Sequence, residues 1–435
     1  MNIRLYHANI LAMASGFDLI EDGEIWIHDS EILFVGTAEE AKRNYGMVLN
    51  LLDDDDWDRE IDLKGDVVMP GFKDAHTHSA MTFLRSAADD MPLADWLTKQ
   101  VFPREALLTE DDVYIATKLA ILEYLTSGIT TICEMYLHPN TIAKATEDCG
   151  FRCVQCGGMN NFSQSIEEQR EWFGSLNNGD PLTSFRLGLH AEYTNSRELM
   201  EKTAELSHEL QAPVYLHCSE TENEVAACKE RYGLTPTEFL DSIGLLDYGS
   251  TFFHGVHVTD HDIEIMKEHK VAVVTNPASN VKLASGIAPI SKYIKAGITL
   301  GIGTDGPASN NCLDMFREMF LVTGLAKLLE KDASAVDALQ VLDMAVKGGA
   351  HAIGLSDCDC LAKGKKADLI VIDMKQPNMQ PVNNLAKNIV YSGSKSNVRL
   401  TMVNGRVLYE DGKFFIGEDP EYIYGAVQKI IDRMR

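Results

Sequence analysis

The sequence predicts an α/β protein: a (β/α)8 TIM-type barrel with a small β-sandwich domain built from both chain ends. Two observations support this fold class. Both ends of the chain contain short runs of alternating apolar and polar residues, whereas the middle alternates apolar runs with longer amphipathic stretches. A chain of 435 residues is long enough for a large barrel and an accessory domain.

The chain ends, residues 1–66 and 362–435, are predicted to form one composite β domain with a C-terminal helix. The early part alternates apolar and polar residues, as at positions 24–28, and turn residues such as Asp22 and Gly23 separate its runs. The same pattern returns at 368–373 and 398–403, where Asn404 and Gly405 indicate a hairpin turn. The four aspartates at 53–56 are interpreted as a solvated loop without a function, because adjacent carboxylates repel one another.

Residues 67–361 are predicted to form the barrel, whose active site lies at the C-terminal ends of the strands. Eight apolar runs are candidate strands, each followed by a stretch long enough for a helix. These runs span residues 67–69, 128–133, 152–155, 186–189, 214–216, 251–253, 271–274 and 298–302.

Composition excludes several classes of protein. The net charge of -26 argues against a nucleic-acid partner, because affinity for phosphate backbones comes largely from Lys and Arg. No run of about 18 apolar residues could span a bilayer, and the start of the chain lacks the layout of a secretion signal. Nine cysteines, an odd number, indicate free thiols in a reducing compartment. We therefore expect a cytoplasmic protein that acts on a small molecule, without a membrane partner, and a homo-oligomer is compatible with the fold.

Metal-competent side chains lie at the ends of the candidate strands. His76 and His78 are two residues apart, so they point to the same side of an extended strand. His217 and Asp305 also stand at strand ends, which completes a set of three imidazoles and one carboxylate. This set suits one divalent ion, with Zn²⁺ preferred. A second ion is not expected, because the fourth strand ends at His190 without a lysine that could bridge two metals.

Three residues are candidates for moving protons around a water molecule held at this metal. Glu220 follows His217 by three residues, and we predict that it carries a proton from the water to the leaving nitrogen. His254 ends the sixth strand and is predicted to hold the water for attack. Asp305 could bind both the metal and the water's proton. His190 and Glu192 are candidates for contacts with the substrate.

These motifs resemble the amidohydrolase superfamily, and more narrowly its 5′-methylthioadenosine/S-adenosylhomocysteine deaminase group. The resemblance covers nearly the whole chain. It rests on the segments at 70–78, 84–85, 89–93, 96–97, 217–221, 276–280, 303–306 and 367–369.

The resemblance implies roles for individual positions. It implies that His76, His78, His217 and Asp305 bind zinc and that Glu220 and His254 act on the water. The resemblance also implies three substrate-binding residues: Glu105, which matches a glutamate that binds ribose hydroxyls, His190 near the base, and Trp96, which is similar to a pocket aromatic. The alternative for Trp96 is a place in the core. One departure concerns the third-strand loop at 157–161, which carries no arginine to grip the amino acid end of S-adenosylhomocysteine.

The function predicted from both arguments is a metal-dependent hydrolytic deaminase of an adenine nucleoside. The candidate substrates are 5′-methylthioadenosine, S-adenosylhomocysteine, adenosine and 5′-deoxyadenosine, with ammonia and the hypoxanthine compound as products. One alternative is a deaminase or chlorohydrolase of another heterocycle, such as guanine or a triazine. The other is a non-enzymatic barrel scaffold, which normally requires the loss of metal ligands.

Overall fold

The computed structural model describes residues 1–17, 19–49, 57–87, 89–91 and 93–434. The aspartate run at 53–56 lies outside the described residues. The strands are β1 (Asn2–Leu11), β2 (Leu19–His28), β3 (Glu31–Thr37), β4 (Arg59–Asp62), β5 (Val67–Pro70), β6 (Phe72–Thr77), β7 (Ile129–Glu134), β8 (Arg152–Cys156), β9 (Thr183–Ala191), β10 (Val214–Cys218), β11 (Ser250–His254), β12 (Ala272–Thr275), β13 (Leu300–Ile302), β14 (Leu369–Ile372), β15 (Val398–Val403), β16 (Arg406–Glu410) and β17 (Lys413–Phe414).

The α-helices alternate with the strands through the middle of the chain. Several begin at a threonine whose side chain accepts a hydrogen bond from the third helical residue, as Thr109 and Thr221 do. The helices are α1 (Ala38–Leu49), α2 (Leu93–Trp96), α3 (Phe102–Glu105), α4 (Glu110–Thr126), α5 (Pro139–Cys149), α6 (Ile166–Leu176), α7 (Arg197–Leu210), α8 (Glu222–Tyr232), α9 (Pro236–Ser242), α10 (Asp260–Glu268), α11 (Pro277–Lys282), α12 (Ile290–Ala296), α13 (Met315–Glu330), α14 (Ala338–Asp343), α15 (Gly349–Ala352), α16 (Leu385–Lys387) and α17 (Pro420–Met434).

Eight parallel strands close into a barrel in the order β6 to β13. The register pairs Ile302 of β13 with Asp74 of β6, which closes the ring. Strands such as β7, β8, β10 and β11 are buried along their whole length, as expected for strands covered on both faces. The predicted fold class is therefore confirmed.

The first predicted barrel strand is wrong. Residues 67–69 belong to β5, which pairs with β1 and β14 in the sheet formed by the chain ends, and β6 is the first barrel strand. An apolar run identifies a buried strand but not the sheet that the strand joins. Only Gly71 separates the two strands, and a β-carbon at this position would lie 2.1 Å from Cγ2 of Thr130. The chain therefore passes from one sheet to the other where only glycine fits.

The chain ends form a second sheet in the order β17-β16-β15-β14-β5-β1-β2-β3, with β4 beside β1. The predicted hairpin turn is confirmed, since Asn404 and Gly405 join β15 to β16 with φ angles of 50° and 77°. The domain boundaries given above stay a prediction. No helix among the described residues is long and apolar enough to cross a membrane.

A buried ion pair ties this sheet to the barrel. Nε of Arg152 in β8 lies 2.7 Å from Oδ2 of Asp368, and a second guanidinium nitrogen lies 3.0 Å from Oδ1. Both side chains are almost fully buried. The backbone N–H of Asn404 also donates to this carboxylate, at 2.7 Å. The C-terminal helix α17 packs on barrel helix α4, where Arg433 pairs with Asp112. The two units therefore share polar contacts as well as an apolar core.

Candidate active site

A cavity of about 800 Å³, including its mouth, opens at the C-terminal ends of the barrel strands. Most of the predicted site residues line this cavity. His76 is fully buried at the base of the site, at the end of β6. The other predicted residues line the cavity: His78, Trp96, Glu105, His190, His217, Glu220, His254 and Asp305.

The predicted metal ligands converge on one point. Two overlapping groups of side chains could each hold a metal ion. One group contains His76, His217 and His254, and the other contains His76, His78 and Asp305. Within each group, the ligand atoms lie within 4.8 Å of one another. Oδ1 of Asp305 lies 3.3 Å from Nε2 of His78 and 3.8 Å from Nε2 of His76. The His76 ring also stacks on Phe253, with 3.8 Å between ring centroids.

Backbone carbonyl groups orient two of the imidazoles. Nδ1 of His78 donates to the carbonyl oxygen of Met135, and Nδ1 of His217 donates to that of His190 at 2.6 Å. Each of these rings therefore presents Nε2 to the centre of the cluster. This arrangement is common among metal-binding histidines, because a hydrogen bond at the second nitrogen fixes the ring and its tautomer.

The same cluster shows strong electrostatic coupling. Burial, together with the neighbouring imidazoles of His217 and His78, holds the pKa of His76 well below its ordinary value. Burial alone would lower the pKa of His78, but its hydrogen bond with Asp305 raises that pKa to about 9. Burial would raise the pKa of Asp305, yet the hydrogen bond and charge of His78 hold it well below the ordinary value.

These residues fit a divalent metal ion. Both ring nitrogens of His76 are buried and lack a hydrogen-bond partner among the described residues, although buried polar atoms normally have one. A metal ion would satisfy one of these nitrogens. Three imidazoles and one carboxylate are donors that Zn²⁺ and similar divalent ions accept.

Glu220 is held in the cavity by two neighbours. Its backbone N–H donates to Glu224 at 2.8 Å, and the Glu224 carboxylate also accepts from the N–H of Ser219 at 2.7 Å. The hydroxyl of Ser285 donates to Oε1 of Glu220 at 3.2 Å. Glu224 is the third residue of α8, so the cap of that helix also fixes the turn that carries Glu220.

Helix α11 supplies partners for His254 and Asp305. Nδ1 of His254 donates to Oδ1 of Asn280 at 2.8 Å, which leaves Nε2 facing Glu220, 3.8 Å from its Oε2. The hydroxyl of Ser279 donates to Oδ2 of Asp305 at 2.5 Å. All of these side chains are buried. The segment at 276–280 therefore supports two of the predicted catalytic residues.

Three residues at the rim have left-handed backbone conformations. The φ angles are 54° at Ser219, 73° at His254 and 59° at Asp305. Such angles are uncommon for residues other than glycine and often mark functional sites. Each of the three lies at or just after the end of a barrel strand, and the side chains of His254 and Asp305 line the cavity.

The predicted substrate-binding residues lie on the cavity wall. Trp96 is buried, and its Nε1 has no hydrogen-bond partner among the described residues. Burial raises the pKa of Glu105, although the hydroxyl of Tyr136 and the charge of His78 oppose this shift. His190 lines the cavity, and its Nδ1 lies 3.1 Å from Oγ1 of Thr194.

Glu192 does not join this group. Its carboxylate pairs with Arg231 at 2.5 Å, and it is not among the residues that line the cavity. Glu192 therefore lies outside this cavity, and its position does not support the suggestion that it contacts the substrate. It starts a short 3-10 turn after β9, which directs its side chain towards α8.

Several cavity residues escaped the sequence analysis. Tyr136, Asn160, Gln164 and Tyr193 line the wall beside the predicted residues. Tyr136 follows the end of β7 by two residues, a position that could have indicated it. The others lie in loops whose course depends on tertiary contacts.

Comparisons with known proteins agree with this fold and site. The model of the amidohydrolase family matches residues 67–408. The chain therefore belongs to the amidohydrolase family, a class of hydrolytic enzymes. Family membership and the donor set described above confirm the prediction of a divalent metal cofactor.

Similar proteins extend over almost the whole chain. A 5-methylthioadenosine/S-adenosylhomocysteine deaminase of Moorella thermoacetica is 39% identical over 420 residues, covering 94% of this chain and 95% of the relative. The protein of that name from Thermoanaerobacter pseudethanolicus is 37% identical over 419 residues, covering 94% of each chain. A crystal structure of an adenosine deaminase from Xanthomonas campestris with bound zinc is 30% identical, with a TM-score of 0.93, and covers 100% of this chain and 98% of that chain.

Proposed function

We propose that this protein is a zinc-dependent hydrolytic deaminase of adenine nucleosides. The observation that carries the proposal is the convergence of the metal-binding cluster, Glu220 and His254 in one cavity whose wall contains Glu105. Relatives that carry deaminase names, at 37% and 39% identity, support the reaction type. The zinc-bound adenosine deaminase from Xanthomonas campestris supports the metal.

In this proposal His76, His78, His217 and Asp305 hold the ion. A divalent ion in such a site lowers the pKa of a water molecule, so that a nucleophile is available near neutral pH. Glu220 accepts a proton from the attacking water and delivers it to the ring nitrogen beside the amine-bearing carbon of the purine. The water's other proton moves to the amino group, the bond between carbon and this nitrogen breaks as ammonia leaves, and the carbon keeps the water's oxygen.

His254 and Asp305 orient the water in this scheme. With Nδ1–H bonded to Asn280, Nε2 of His254 is free to accept a hydrogen bond from the water on the side that faces Glu220. The carboxylate of Asp305 lies 3.3 Å from Nε2 of His78, and it can accept a hydrogen bond from the water's other O–H group. The two groups thereby fix the direction of attack before the bond forms.

The cavity wall provides for the rest of the nucleoside. Glu105 is proposed to accept hydrogen bonds from ribose hydroxyls, His190 to contact the base and Trp96 to pack against the substrate. A carboxylate is a strong acceptor for a pair of adjacent hydroxyl groups.

A substrate panel tests the proposal directly. Purified protein loaded with zinc is assayed for ammonia release, and for the loss of adenine absorbance, with adenosine, 5′-deoxyadenosine, 5′-methylthioadenosine, adenine, guanine and a chlorotriazine. We expect turnover of at least one adenine nucleoside with a kcat/KM a hundredfold or more above that of every free base. Preferential turnover of guanine or of the triazine would contradict the proposal.

A further inference from the structure

A metal ion would satisfy one ring nitrogen of His76 and leave the other without a partner. Nε2 of His76 lies 3.8 Å from Oδ1 of Asp305, so this nitrogen faces the centre of the cluster. Nδ1 is buried and has no hydrogen-bond partner among the described residues. The other imidazoles of the two metal-competent groups each have an oxygen partner at Nδ1: His78, His217 and His254. Nδ1 of His76 therefore needs a partner that the metal does not supply.

A second buried side chain, that of Asn276, also lacks partners. Asn276 directly follows the last residue of β12 and is fully buried. Neither Oδ1 nor Nδ2 of its amide has a hydrogen-bond partner among the described residues, although buried polar groups normally have one. Asparagine is common at the residue before a helix because its side chain can cap the helix, but Asn276 makes no such hydrogen bond to α11. The amide is therefore free for another contact.

Gly303 brings Asn276 and His76 together. The N–H of Gly303 donates to the carbonyl oxygen of Thr275 at 3.0 Å, which places Gly303 beside the end of β12. A β-carbon at residue 303 would lie 2.4 Å from Oδ1 of Asn276 and 2.9 Å from Cβ of His76. The amide of Asn276 thus occupies the place of the missing side chain, next to His76. Two groups of buried polar atoms without partners are neighbours at this point.

We propose that Asn276 is a positioning residue for His76, and that its amide holds Nδ1–H of that ring through one water molecule. The two side chains form no direct hydrogen bond, and buried waters commonly connect polar groups of this kind. A hydrogen bond at the second nitrogen fixes a metal-binding imidazole, so that Nε2 stays directed at the ion. The inference rests on the proposed function, because that function assigns His76 to the metal.

Two substitutions of Asn276 test this role through the affinity for zinc. Asn276→Leu removes both polar atoms with little change in size, whereas Asn276→Asp keeps an acceptor. Competition with a chromophoric chelator gives the Kd of zinc. We expect this Kd to rise about ten- to a hundredfold in Asn276→Leu. In Asn276→Asp it should stay near the wild-type value or fall below it, because carboxylates also support metal-binding histidines.

A wild-type Kd in Asn276→Leu, or equal losses of affinity in the two variants, would overturn the inference. If Asn276→Leu does not fold, Asn276→Ala removes the same polar atoms without adding bulk, and the same rise in Kd is expected.

Asn397→Leu is the matched control. Asn397 is also fully buried, but it stands before β15 in the sheet of the chain ends, where it accepts hydrogen bonds from Asn378 and Ser394. Its replacement should lower the free energy of unfolding and leave the Kd of zinc near the wild-type value. A rise in Kd as large as that of Asn276→Leu would show that zinc affinity follows general stability, and it would overturn the inference.

His76→Ala separates this inference from the proposed function. We expect this variant to lose more zinc affinity than Asn276→Leu. If it binds zinc as tightly as the wild type, the assignment of His76 as a ligand fails, and the inference fails with it. If His76→Ala loses zinc and Asn276→Leu does not, only the inference fails. If no adenine nucleoside releases ammonia, the proposed reaction fails, and these zinc affinities still decide the role of Asn276.

Discussion

Neighbouring groups fix the position of Glu220 and support its proposed role in proton transfer. The Glu224 carboxylate fixes the turn, and Ser285 holds one carboxylate oxygen, so that the other oxygen faces His254. Neither contact involves the metal ligands directly. The proton-transfer role can therefore be tested apart from metal binding.

Replacing Glu220 by Gln should keep the metal and remove the proton carrier. Loss of a positioned acid or base costs about 10²- to 10⁴-fold in rate, and we expect kcat to fall by at least about a hundredfold. Ammonia release gives the rate, and elemental analysis gives the zinc content. Glu222→Gln makes the same change at an exposed position two residues on and should behave as wild type. Normal turnover by Glu220→Gln would refute the assignment.

Replacing Glu105 by Ala tests ribose recognition. Hydrogen bonds to a charged group are worth about 1.5 to 3 kcal/mol, so we expect kcat/KM for adenosine to fall by about ten- to a hundredfold. Any residual activity on free adenine should change much less, since adenine has no ribose. Asp111→Ala, at an exposed position on the neighbouring helix, is the control. An equal loss for both substrates would exclude the ribose role.

Single residues differ in how well the sequence predicts them. The convergence of the predicted metal ligands in one cavity could be expected from the sequence, because side chains at the ends of parallel strands must meet at one end of a barrel. The roles of Asn280 and Gln164 were not predictable, although Asn280 lies within, and Gln164 close to, a segment that the sequence analysis considered. Their contacts depend on where α11 and the loop after β8 lie in three dimensions, and spacing along the chain does not contain that information.

At the scale of elements, the short helix α11 is anchored by α13. Glu318 of α13 is fully buried, and it accepts a hydrogen bond from the backbone N–H of Ala278 at 3.0 Å. It also accepts one from Nδ2 of Asn310 at 2.8 Å. Burial raises the pKa of Glu318 to about 8. A titrating group thus lies directly beneath the segment that supports His254 and Asp305.

The raised pKa of Glu318 predicts a pH-dependent stability. The folded protein keeps this proton up to a pH of about 8, whereas the unfolded chain loses it near pH 4.5. Its contribution to the free energy of unfolding is therefore complete below pH 4.5 and is lost as the pH rises towards 8, by at most about 1.4 kcal/mol per pH unit.

Denaturant unfolding of the wild type and of Glu318→Gln between pH 5 and 8 measures this contribution. The wild type should lose more stability over this range than the variant, because Gln does not titrate. The other buried carboxyl groups are common to both proteins and cancel in the difference. Parallel pH profiles for the two proteins would contradict the prediction.

Element types were predicted more reliably than sheet membership. Seven of the eight predicted barrel strands overlap observed ones, but residues 67–69 lie in the other sheet. Their apolar pattern fits either location, since both are buried. The passage at Gly71 depends on contact with Thr130 of the neighbouring strand, which a local pattern cannot reveal.

At the scale of the whole molecule, the pair Arg152–Asp368 connects barrel and sheet. Asp368→Ala leaves a buried guanidinium without its partner, and we expect a loss of about 3 to 5 kcal/mol in the free energy of unfolding. Chemical denaturation measures this loss, and the KM of the remaining folded enzyme should stay near the wild-type value. Glu198→Ala breaks an exposed pair with Lys202 and should leave the free energy of unfolding close to the wild-type value. Equal effects of the two changes would contradict this account.

Metal removal should affect the stability of the entire molecule. An ion that binds only the folded state stabilises it by RT ln(1 + [L]/Kd), about 4 kcal/mol at a thousandfold excess over Kd. Treatment with a chelator should therefore lower Tm and abolish ammonia release, and added zinc should restore both. In His76→Ala the chelator should change Tm much less. If the chelator left the Tm of the wild type unchanged, this would contradict the proposal that the cluster holds a metal ion.

The pairing of β5 with β14 has a consequence for synthesis on the ribosome. Strand β5 emerges early, but its partner β14 is made only after all eight barrel strands. Until then β5 has an open edge towards β14, and such edges favour association with other chains. Long-range pairings of this kind also fold slowly. A chain interrupted before Leu369 would keep the open edge permanently, so truncated products should aggregate even when they contain every metal ligand.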